Sequence, residues 1–350
     1  MKSPINQWVR PNIQKITPYS TARDEFEGTA EVLLDANENS LADIFDGRYS
    51  RYPDPHQREL KRDLATLKGV QSEQIFLGNG SDEAIDLLYR VFCQPAKDGV
   101  VFFGPTYGMY KVSAAVNEVD AIEWPLDADF DIPAPQETLS LIPKNTKILI
   151  FCSPNNPTGN QLNRDRLRAY CEQFNGIVVI DEAYIDFAPG ESLIPWIDQL
   201  DNLVILQTFS KAWSIAALRL GVAYSTAEII AYLNLIKPPY NINAVTQEKA
   251  KELIETAGLV SQSADRLIEL RENLIKRLQN TSGVLHIYPS KANFLLVKFD
   301  KAPALFQHLL TKGIVIRNRC KEVENGLRIT VGNQAQNELL CQQIENFYTL

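Results

Sequence analysis

The sequence predicts an α/β protein in which a mostly parallel central sheet forms a large domain and an α+β unit forms a smaller one. The chain has 350 residues, more than one hydrophobic core usually supports, so two structural units are expected. Short apolar runs alternate with amphipathic stretches in the middle of the chain, which is typical of βαβ units. A leucine stripe and further strand-like runs come later and indicate the second unit.

Five apolar runs are the predicted strands of the large sheet. Their Val, Ile, Leu and Phe content is nearly continuous, which suits strands covered by helices on both faces. A helix is predicted to begin with Ser81 as its cap, because the acidic residues Asp82 and Glu83 suit the positive end of the helix dipole. The predicted strands span residues 100–103, 147–152, 177–180, 202–207 and 221–224.

The smaller unit is predicted from a helix and three strand-like runs. Pro238 and Pro239 interrupt the helical pattern within residues 236–243, which marks a plausible boundary. We therefore expect a large domain over residues 46–240 and a small domain built from residues 1–45 and 241–350. The helical stripe consists of Leu267, Leu270, Leu274 and Leu278, and the strand-like runs span residues 293–299, 314–316 and 327–331.

The net charge and the hydropathy of the chain argue against nucleic acid and membranes as binding partners. The formal net charge of -8 is opposite to the sign needed to bind nucleic acid, so no nucleic-acid partner is expected. The chain lacks the roughly 18 consecutive apolar residues of a membrane span, and its first residues lack the apolar core of a secretory signal. We expect a cytoplasmic protein without a membrane partner.

The metal-binding residue types are few and scattered. The five cysteines form no C-x-x-C pair, and the three histidines lie far from one another and from any cysteine. Structural and catalytic zinc sites need such residues at close spacing. No metal centre is therefore expected, and the cysteines are expected to be free thiols.

Three polar motifs follow the ends of predicted strands, where open α/β sheets place their ligands. Each motif alone has an ordinary explanation, namely a common turn, a helix cap or a surface lysine. The motifs are Ser153-Pro154-Asn155-Asn156-Pro157-Thr158-Gly159, Asp181-Glu182-Ala183-Tyr184 and Thr208-Phe209-Ser210-Lys211-Ala212-Trp213.

Taken together, the motifs supply what pyridoxal phosphate needs: an amine, a carboxylate, a hydrogen-bond donor and a phosphate cradle. Lys211 would hold the cofactor as a Schiff base. Asp181 would keep the pyridine nitrogen protonated, so that the ring can accept electrons. Asn156 and Tyr184 would hydrogen-bond the ring hydroxyl.

A glycine turn that opens onto a helix is the predicted seat for the phosphate, because free N–H groups at a helix start bind anions. The third glycine of a dinucleotide-binding fingerprint is replaced by Glu83, so a nicotinamide site is not favoured. The residues expected at the phosphate are Gly80, Ser81 and Asp82 in the turn Gly78-Asn79-Gly80-Ser81-Asp82-Glu83, together with Ser210 and Arg219.

These motifs resemble those of the fold-type I, aspartate-aminotransferase-like family of pyridoxal-phosphate enzymes, and most closely its histidinol-phosphate aminotransferase branch. The resemblance covers nearly the whole chain. It extends to Thr17-Pro18-Tyr19, Leu34-Asp35-Ala36-Asn37-Glu38-Asn39, Arg51-Tyr52-Pro53-Asp54 and Gly326-Leu327-Arg328-Ile329-Thr330-Val331-Gly332.

The resemblance implies roles for several residues outside the three motifs. Tyr107 would stack on the cofactor ring, and Tyr52 would reach the cofactor phosphate of the neighbouring subunit in a homodimer. Arginine suits anion binding because its planar fork can pair two oxygens at once. The residues implied to contact substrate are Tyr19, Asn37, Arg317 and Arg328.

The resemblance also implies a reaction. An amino group would pass between histidinol phosphate or imidazole acetol phosphate and glutamate or 2-oxoglutarate, in L-histidine biosynthesis. Two alternatives share the scaffold: an aromatic amino-acid aminotransferase and a threonine-phosphate decarboxylase. A regulator that uses the fold to sense an amine would need a DNA-binding segment, which the acidic charge disfavours.

Overall fold

The computed structural model describes residues 4–19, 32–41 and 49–349 and contains two sheets. The strands are β1 Ile75–Asn79, β2 Gly99–Gly104, β3 Asp120–Pro125, β4 Thr146–Cys152, β5 Ile177–Asp181, β6 Leu203–Thr208, β7 Leu220–Tyr224, β8 Val284–Ile287, β9 Phe294–Phe299, β10 Arg317–Asn318 and β11 Gly326–Thr330. The helices are α1 Arg58–Lys68, α2 Ser81–Phe92, α3 Met109–Val116, α4 Pro135–Thr138, α5 Arg164–Gln173, α6 Ala227–Ile236, α7 Ala244–Glu255, α8 Ala257–Gln279, α9 Ala302–Thr311 and α10 Gln334–Thr349.

The larger sheet has seven strands in the order β1-β7-β6-β5-β4-β2-β3. Strands β2 to β6 pair in parallel, whereas β7 runs antiparallel to both of its neighbours. The prediction of a mostly parallel sheet is confirmed, and each of the five predicted strands is present within one residue at either end. Strands β1 and β3, at the two edges, were not predicted.

The smaller sheet has four antiparallel strands in the order β10-β11-β9-β8. Its core includes Leu270, Leu274 and Leu278, so the predicted leucine stripe lies on the buried face of α8. The predicted strand over residues 314–316 is wrong, because these residues pair with no strand of the described structure and the strand pairing begins only at β10. The side chain of Val315 is 80% exposed, so this apolar run does not form a buried strand.

Buried side chains cover both faces of the larger sheet. One cluster includes Ala250 of α7 and Ala264 of α8, and the other includes Ile5 and Val9 near the start of the chain. The division of the chain at residues 45 and 240 remains a prediction, and the first of these boundaries lies outside the described residues. Within the described part of the chain, no helix is both long enough and apolar enough to cross a membrane.

Candidate active site

The carboxyl ends of β4, β5 and β6 meet the start of α2 around a cavity of about 110 Å³. Neighbouring parallel strands end at the same edge of a sheet, which is why motifs distant in sequence come together here. All the cofactor-binding residues predicted within one subunit line the cavity: Gly80, Ser81, Asp82, Tyr107, Asn156, Asp181, Tyr184, Ser210, Lys211 and Arg219. Three lining residues were not predicted, namely Cys152, Ala183 and Thr208.

Asp181 ends β5 with its side chain buried beneath the cavity. Burial raises the pKa of its carboxyl group to about 6, although hydrogen bonds from Tyr110 and Ala183 oppose the rise. The Tyr110 hydroxyl donates to Oδ2 at 2.6 Å, and the Ala183 N–H donates to Oδ1 at 3.0 Å. A buried carboxylate is costly unless it meets a cation, so this side chain is suited to a ligand with a protonated nitrogen.

Lys211 lies three residues beyond β6 and is half-buried. Its Nζ atom is 5.4 Å from the centre of the Tyr184 ring. Burial, and then the charge of Arg328, lowers the pKa of the Lys211 ammonium group. A lysine with a lowered pKa has more of the neutral, nucleophilic amine at neutral pH, as covalent catalysis requires.

A polar chain crosses from Tyr184 to the smaller sheet. The Asn156 amide donates to the Tyr184 hydroxyl at 3.3 Å, and the Arg328 guanidinium donates to the Asn156 side-chain oxygen. Arg328 lies on β11, with its guanidinium carbon 5.2 Å from the centre of the Phe294 ring. Its buried Nε atom has no hydrogen-bond partner within the part of the chain that the structure describes. Such a donor is suited to an anionic ligand.

The turn before α2 lies close against the start of β7. Gly80 has φ +73°, and its N–H donates to the Arg219 carbonyl at 2.8 Å. A Cβ atom on Gly80 would lie 2.6 Å from Nη2 of Arg219, and one on Gly221 would lie 2.1 Å from the Ser81 nitrogen. Two glycines therefore make this close approach possible. The predicted cap is wrong by one residue: Gly80 is the N-cap and Ser81 is the first helical residue.

This turn forms an anion cradle. The N–H groups of Ser81 and Asp82 make no hydrogen bond to any other described residue, as expected at the start of a helix. The Arg219 guanidinium donates to the Ser210 hydroxyl at 3.3 Å and lies 3.6 Å from the Asp82 carboxylate. Together with Lys211, this cradle fits a cofactor that carries both an aldehyde and a phosphate.

Tyr107 lines the cavity beside two other residues of the site. Its hydroxyl donates to the Asp82 carboxylate at 3.2 Å, and its ring meets the Tyr110 ring edge-on at 5.5 Å between centroids. Tyr110 is fully buried and was missed in the sequence. Its position three residues after Tyr107 was the available signal, since such a spacing can bring two side chains to one side of a helical turn.

The five other predicted site residues do not line the cavity. Tyr52 is 49% exposed and stacks on Tyr240 with ring centroids 4.4 Å apart, beside a second surface cavity that includes Asn37. Tyr19 is 76% exposed. Arg317 is exposed on β10, in register with Arg328 on β11. Within one chain, only Arg328 of the predicted substrate residues touches the site, through Asn156.

Potential metal ligands do not cluster in the described structure. No group of three or more His, Cys, Asp or Glu side chains among residues 4–19, 32–41 and 49–349 is arranged to hold a metal ion. All five cysteines are free, and four of them are buried.

The fold and the cavity together define an α/β enzyme whose site holds an amine, a carboxylate and an anion cradle. A sequence model of the family described as aminotransferase class I and II matches residues 24–344. The chain belongs to this aminotransferase family. The predicted fold class and the family resemblance are confirmed.

Two relatives and one solved structure are similar over most of the chain. A protein named histidinol-phosphate aminotransferase from Cytophaga hutchinsonii is 45% identical over 345 residues, 98% of this chain and 99% of its own. One of the same name from Parabacteroides distasonis is 47% identical over 344 residues, 98% of each chain. The crystal structure of histidinol-phosphate aminotransferase from Sinorhizobium meliloti in complex with pyridoxal-5'-phosphate has a TM-score of 0.79 and 23% identity, covering 86% of this chain and 83% of that one.

Proposed function

We propose that this chain is a pyridoxal-phosphate-dependent aminotransferase that moves an amino group between histidinol phosphate and 2-oxoglutarate, in L-histidine biosynthesis. The observation that carries the proposal is the meeting of Lys211, Asp181 and the anion cradle in one cavity. The choice of substrate is supported by the names of relatives that are 45% and 47% identical over almost the whole chain.

The residues of the cavity fit the cofactor part by part. Gly80, Ser81, Asp82, Ser210 and Arg219 would hold its phosphate. Asp181 would face the ring nitrogen, Asn156 and Tyr184 the ring hydroxyl, and Tyr107 the ring itself. Bound pyridoxal phosphate supplies an aldehyde that reacts with amines and a ring that accepts electrons.

Lys211 is the proposed acid and base of the reaction. With the cofactor bound, the free amine of Lys211 would accept the proton from the amine-bearing carbon of the substrate and later return it. The lowered pKa of Lys211 raises the fraction that is neutral and able to accept this proton. The ionised Asp181 carboxylate would stabilise a protonated ring nitrogen, and a protonated ring is the stronger electron acceptor.

The proposed substrates are all anionic, which assigns a role to the arginines. Histidinol phosphate carries a phosphate group, whereas glutamate carries two carboxylates. Arg328 has a buried Nε atom without a partner in the described structure, and Arg317 lies beside it on the neighbouring strand. We infer that these two arginines bind the anionic ends of both substrates, with Tyr19 and Asn37 contributing from the N-terminal segment.

A homodimer in the cytoplasm is part of the proposal, with Tyr52 reaching the phosphate in the neighbouring subunit. The exposed stack of Tyr52 on Tyr240 supports a contact surface at this place. Mixing a Tyr52→Phe subunit with a Lys211→Ala subunit should create one site with both defects and one with neither. Activity should therefore partly recover on mixing. An active monomer at high dilution would contradict the shared site.

The proposed reaction is tested by identifying its products. Purified protein with pyridoxal phosphate, histidinol phosphate and 2-oxoglutarate should form glutamate and imidazole acetol phosphate in equal amounts. Histidinol is the matched control, because it lacks only the phosphate and should be a poor donor. Release of carbon dioxide from threonine phosphate, or faster transfer from an aromatic amino acid, would favour one of the other two enzymes of this scaffold instead.

A further inference from the structure

Glu83 lies in the first turn of α2, next to the anion cradle, and its carboxylate contacts the end of β1. It is the third residue of α2, and its Oε2 atom accepts the backbone N–H of Asn79 at 2.5 Å. The same oxygen accepts the side-chain amide of Asn241 at 3.2 Å. A Cβ atom on Gly78 would lie 3.2 Å from both the Cβ and the Oε2 of Glu83. The glycine therefore leaves room for this carboxylate.

Asn241 extends the contact to the loop between α6 and α7. Its side-chain amide donates to the Leu77 carbonyl at 2.8 Å, and its backbone carbonyl accepts a hydrogen bond from the side-chain amide of Asn79 at 2.6 Å. Glu83 and Asn241 are 158 positions apart in the sequence. The Glu83 carboxylate thus joins the start of α2, the end of β1 and a remote loop at one oxygen atom.

We propose that Glu83 is a positioning residue for the phosphate of the cofactor, an inference that rests on the proposed function. By accepting the Asn79 N–H, it would fix the turn that leads into Ser81 and Asp82, both of which line the cavity. Its charge would act in the opposite sense, because a carboxylate repels a nearby phosphate. The hydrogen bond made by the Glu83 side chain should therefore strengthen binding of the phosphate, whereas its negative charge should weaken it.

An ordinary helix cap is the competing explanation. A glutamate at the third helical position commonly accepts a backbone N–H at the start of its helix, and its charge favours the helix dipole. A cap of that kind would affect the stability of α2 but would not distinguish ligands with and without a phosphate. The comparison of pyridoxal phosphate with pyridoxal therefore separates the two roles.

Two variants separate reach from charge. Glu83→Asp keeps the charge at the helix start but is one methylene shorter, and Glu83→Gln keeps the reach and an oxygen acceptor. Dissociation constants of pyridoxal phosphate and of pyridoxal for the cofactor-free dimer are measured from the absorbance change on binding. Glu83→Asp should weaken binding of pyridoxal phosphate by about tenfold, the value of one hydrogen bond of about 1.4 kcal/mol, and that of pyridoxal by less than about twofold.

Glu83→Gln should bind pyridoxal phosphate within about threefold of the parent, since its oxygen can still accept the Asn79 N–H. Asp86→Asn is the matched control on α2, because that carboxylate pairs with Arg90 and Asn117 instead. It should bind both ligands like the parent. Thermal unfolding of each cofactor-free variant reports whether α2 is still formed.

Three outcomes would overturn the role of Glu83: equal losses for both ligands in Glu83→Asp, no loss for either, or markedly tighter binding of pyridoxal phosphate by Glu83→Gln. The first result assigns a purely structural cap and the last assigns a charge effect. Failure of the parent protein to bind pyridoxal phosphate would instead refute the proposed function, so the two failures are distinguishable.

Discussion

Replacing Asp181 with asparagine should stabilise the cofactor-free protein at neutral pH while it removes the catalytic activity. Asp181 is 3% exposed, and burial raises the pKa of its carboxyl group from 3.8 to about 6. At pH 7 the folded, cofactor-free protein therefore contains a buried negative charge that the charge of Lys211 offsets only in part. Asparagine has nearly the same shape but carries no charge to bury.

The raised pKa of Asp181 sets the sign and size of the expected change in the free energy of unfolding. The unfolded chain loses this proton near pH 3.8, whereas the folded chain keeps it until about pH 6. Between these values the folded state binds more protons, so its stability falls as the pH rises. The difference between the two pKa values, at about 1.4 kcal/mol per pKa unit, lowers the free energy of unfolding by about 3 kcal/mol at pH 7. Weaker hydrogen bonding from Tyr110 and Ala183 would reduce the gain in the variant to about 2 kcal/mol.

Urea unfolding of the cofactor-free parent and Asp181→Asn, at equal protein concentration, measures this difference. The variant should be more stable by about 2 kcal/mol at pH 7, and the gain should largely disappear by pH 4, where the folded parent is protonated and the unfolded parent is close to its pKa of 3.8. With pyridoxal phosphate bound, its rate of glutamate formation should be lower than that of the parent by at least about a hundredfold, if the charge contributes about 3 kcal/mol to the transition state.

Two results would refute this reasoning. A variant that is less stable than the parent at pH 7, or a stability difference that does not change between pH 4 and pH 7, would show that burial of the charge is not costly. A variant that retains the parental rate with its cofactor bound would show that Asp181 has only a structural role. The stability and the rate are measured separately, so either half can fail alone.

Three further predictions follow from the same structure. Lys211→Ala should keep the fold and bind pyridoxal phosphate but form glutamate more than about tenfold more slowly, because the nucleophile and proton carrier is gone; a rate within tenfold of the parent would exclude the assigned role. Arg328→Lys keeps the charge but loses the planar fork, so kcat/KM for histidinol phosphate should fall by at least about tenfold, and an equal fall with histidinol would argue against anion binding. Burial, and then the charge of Lys237, lowers the pKa of Lys61 to about 8 from 10.5. Stability of the parent should therefore rise between pH 8 and 10.5, and Lys61→Met should be more stable at pH 7 by about 3 kcal/mol in urea unfolding, without this rise.

The central strands were predictable because parallel strands covered on both faces are almost uniformly apolar. Strand β3, Asp-Ala-Ile-Glu-Trp-Pro, lies at the edge of the sheet and is half-exposed, so polar residues interrupt its pattern. The run at residues 314–316 failed for the opposite reason. Ile314 and Ile316 pack against the core of the smaller sheet, but they pair with no strand of the described structure, so their hydrophobicity alone wrongly predicted a strand.

Cavity residues were predictable where a motif directly follows a strand, since sheet geometry brings those ends together. Glu83 was noticed as part of the acidic first turn of the helix and as a mismatch to a dinucleotide fingerprint, but not as a contact to a distant loop. Its partner Asn241 carries no local signal because the contact spans 158 positions. Tyr52 has its predicted role in a neighbouring subunit, so its place in one chain, stacked on Tyr240, does not test that role.

The reversed direction of β7 limits how the chain around the site can vary. Thr208 at the end of β6 is in register with Gly221 on β7, so residues 209–219 form a connection between two strands that are hydrogen-bonded to each other. Lys211 lies on its outgoing part and Arg219 on its returning part, beside Gly80. Surface loops usually tolerate insertions and deletions. In this connection, one added residue would shift the amine against the phosphate cradle, so its length is as constrained as its composition.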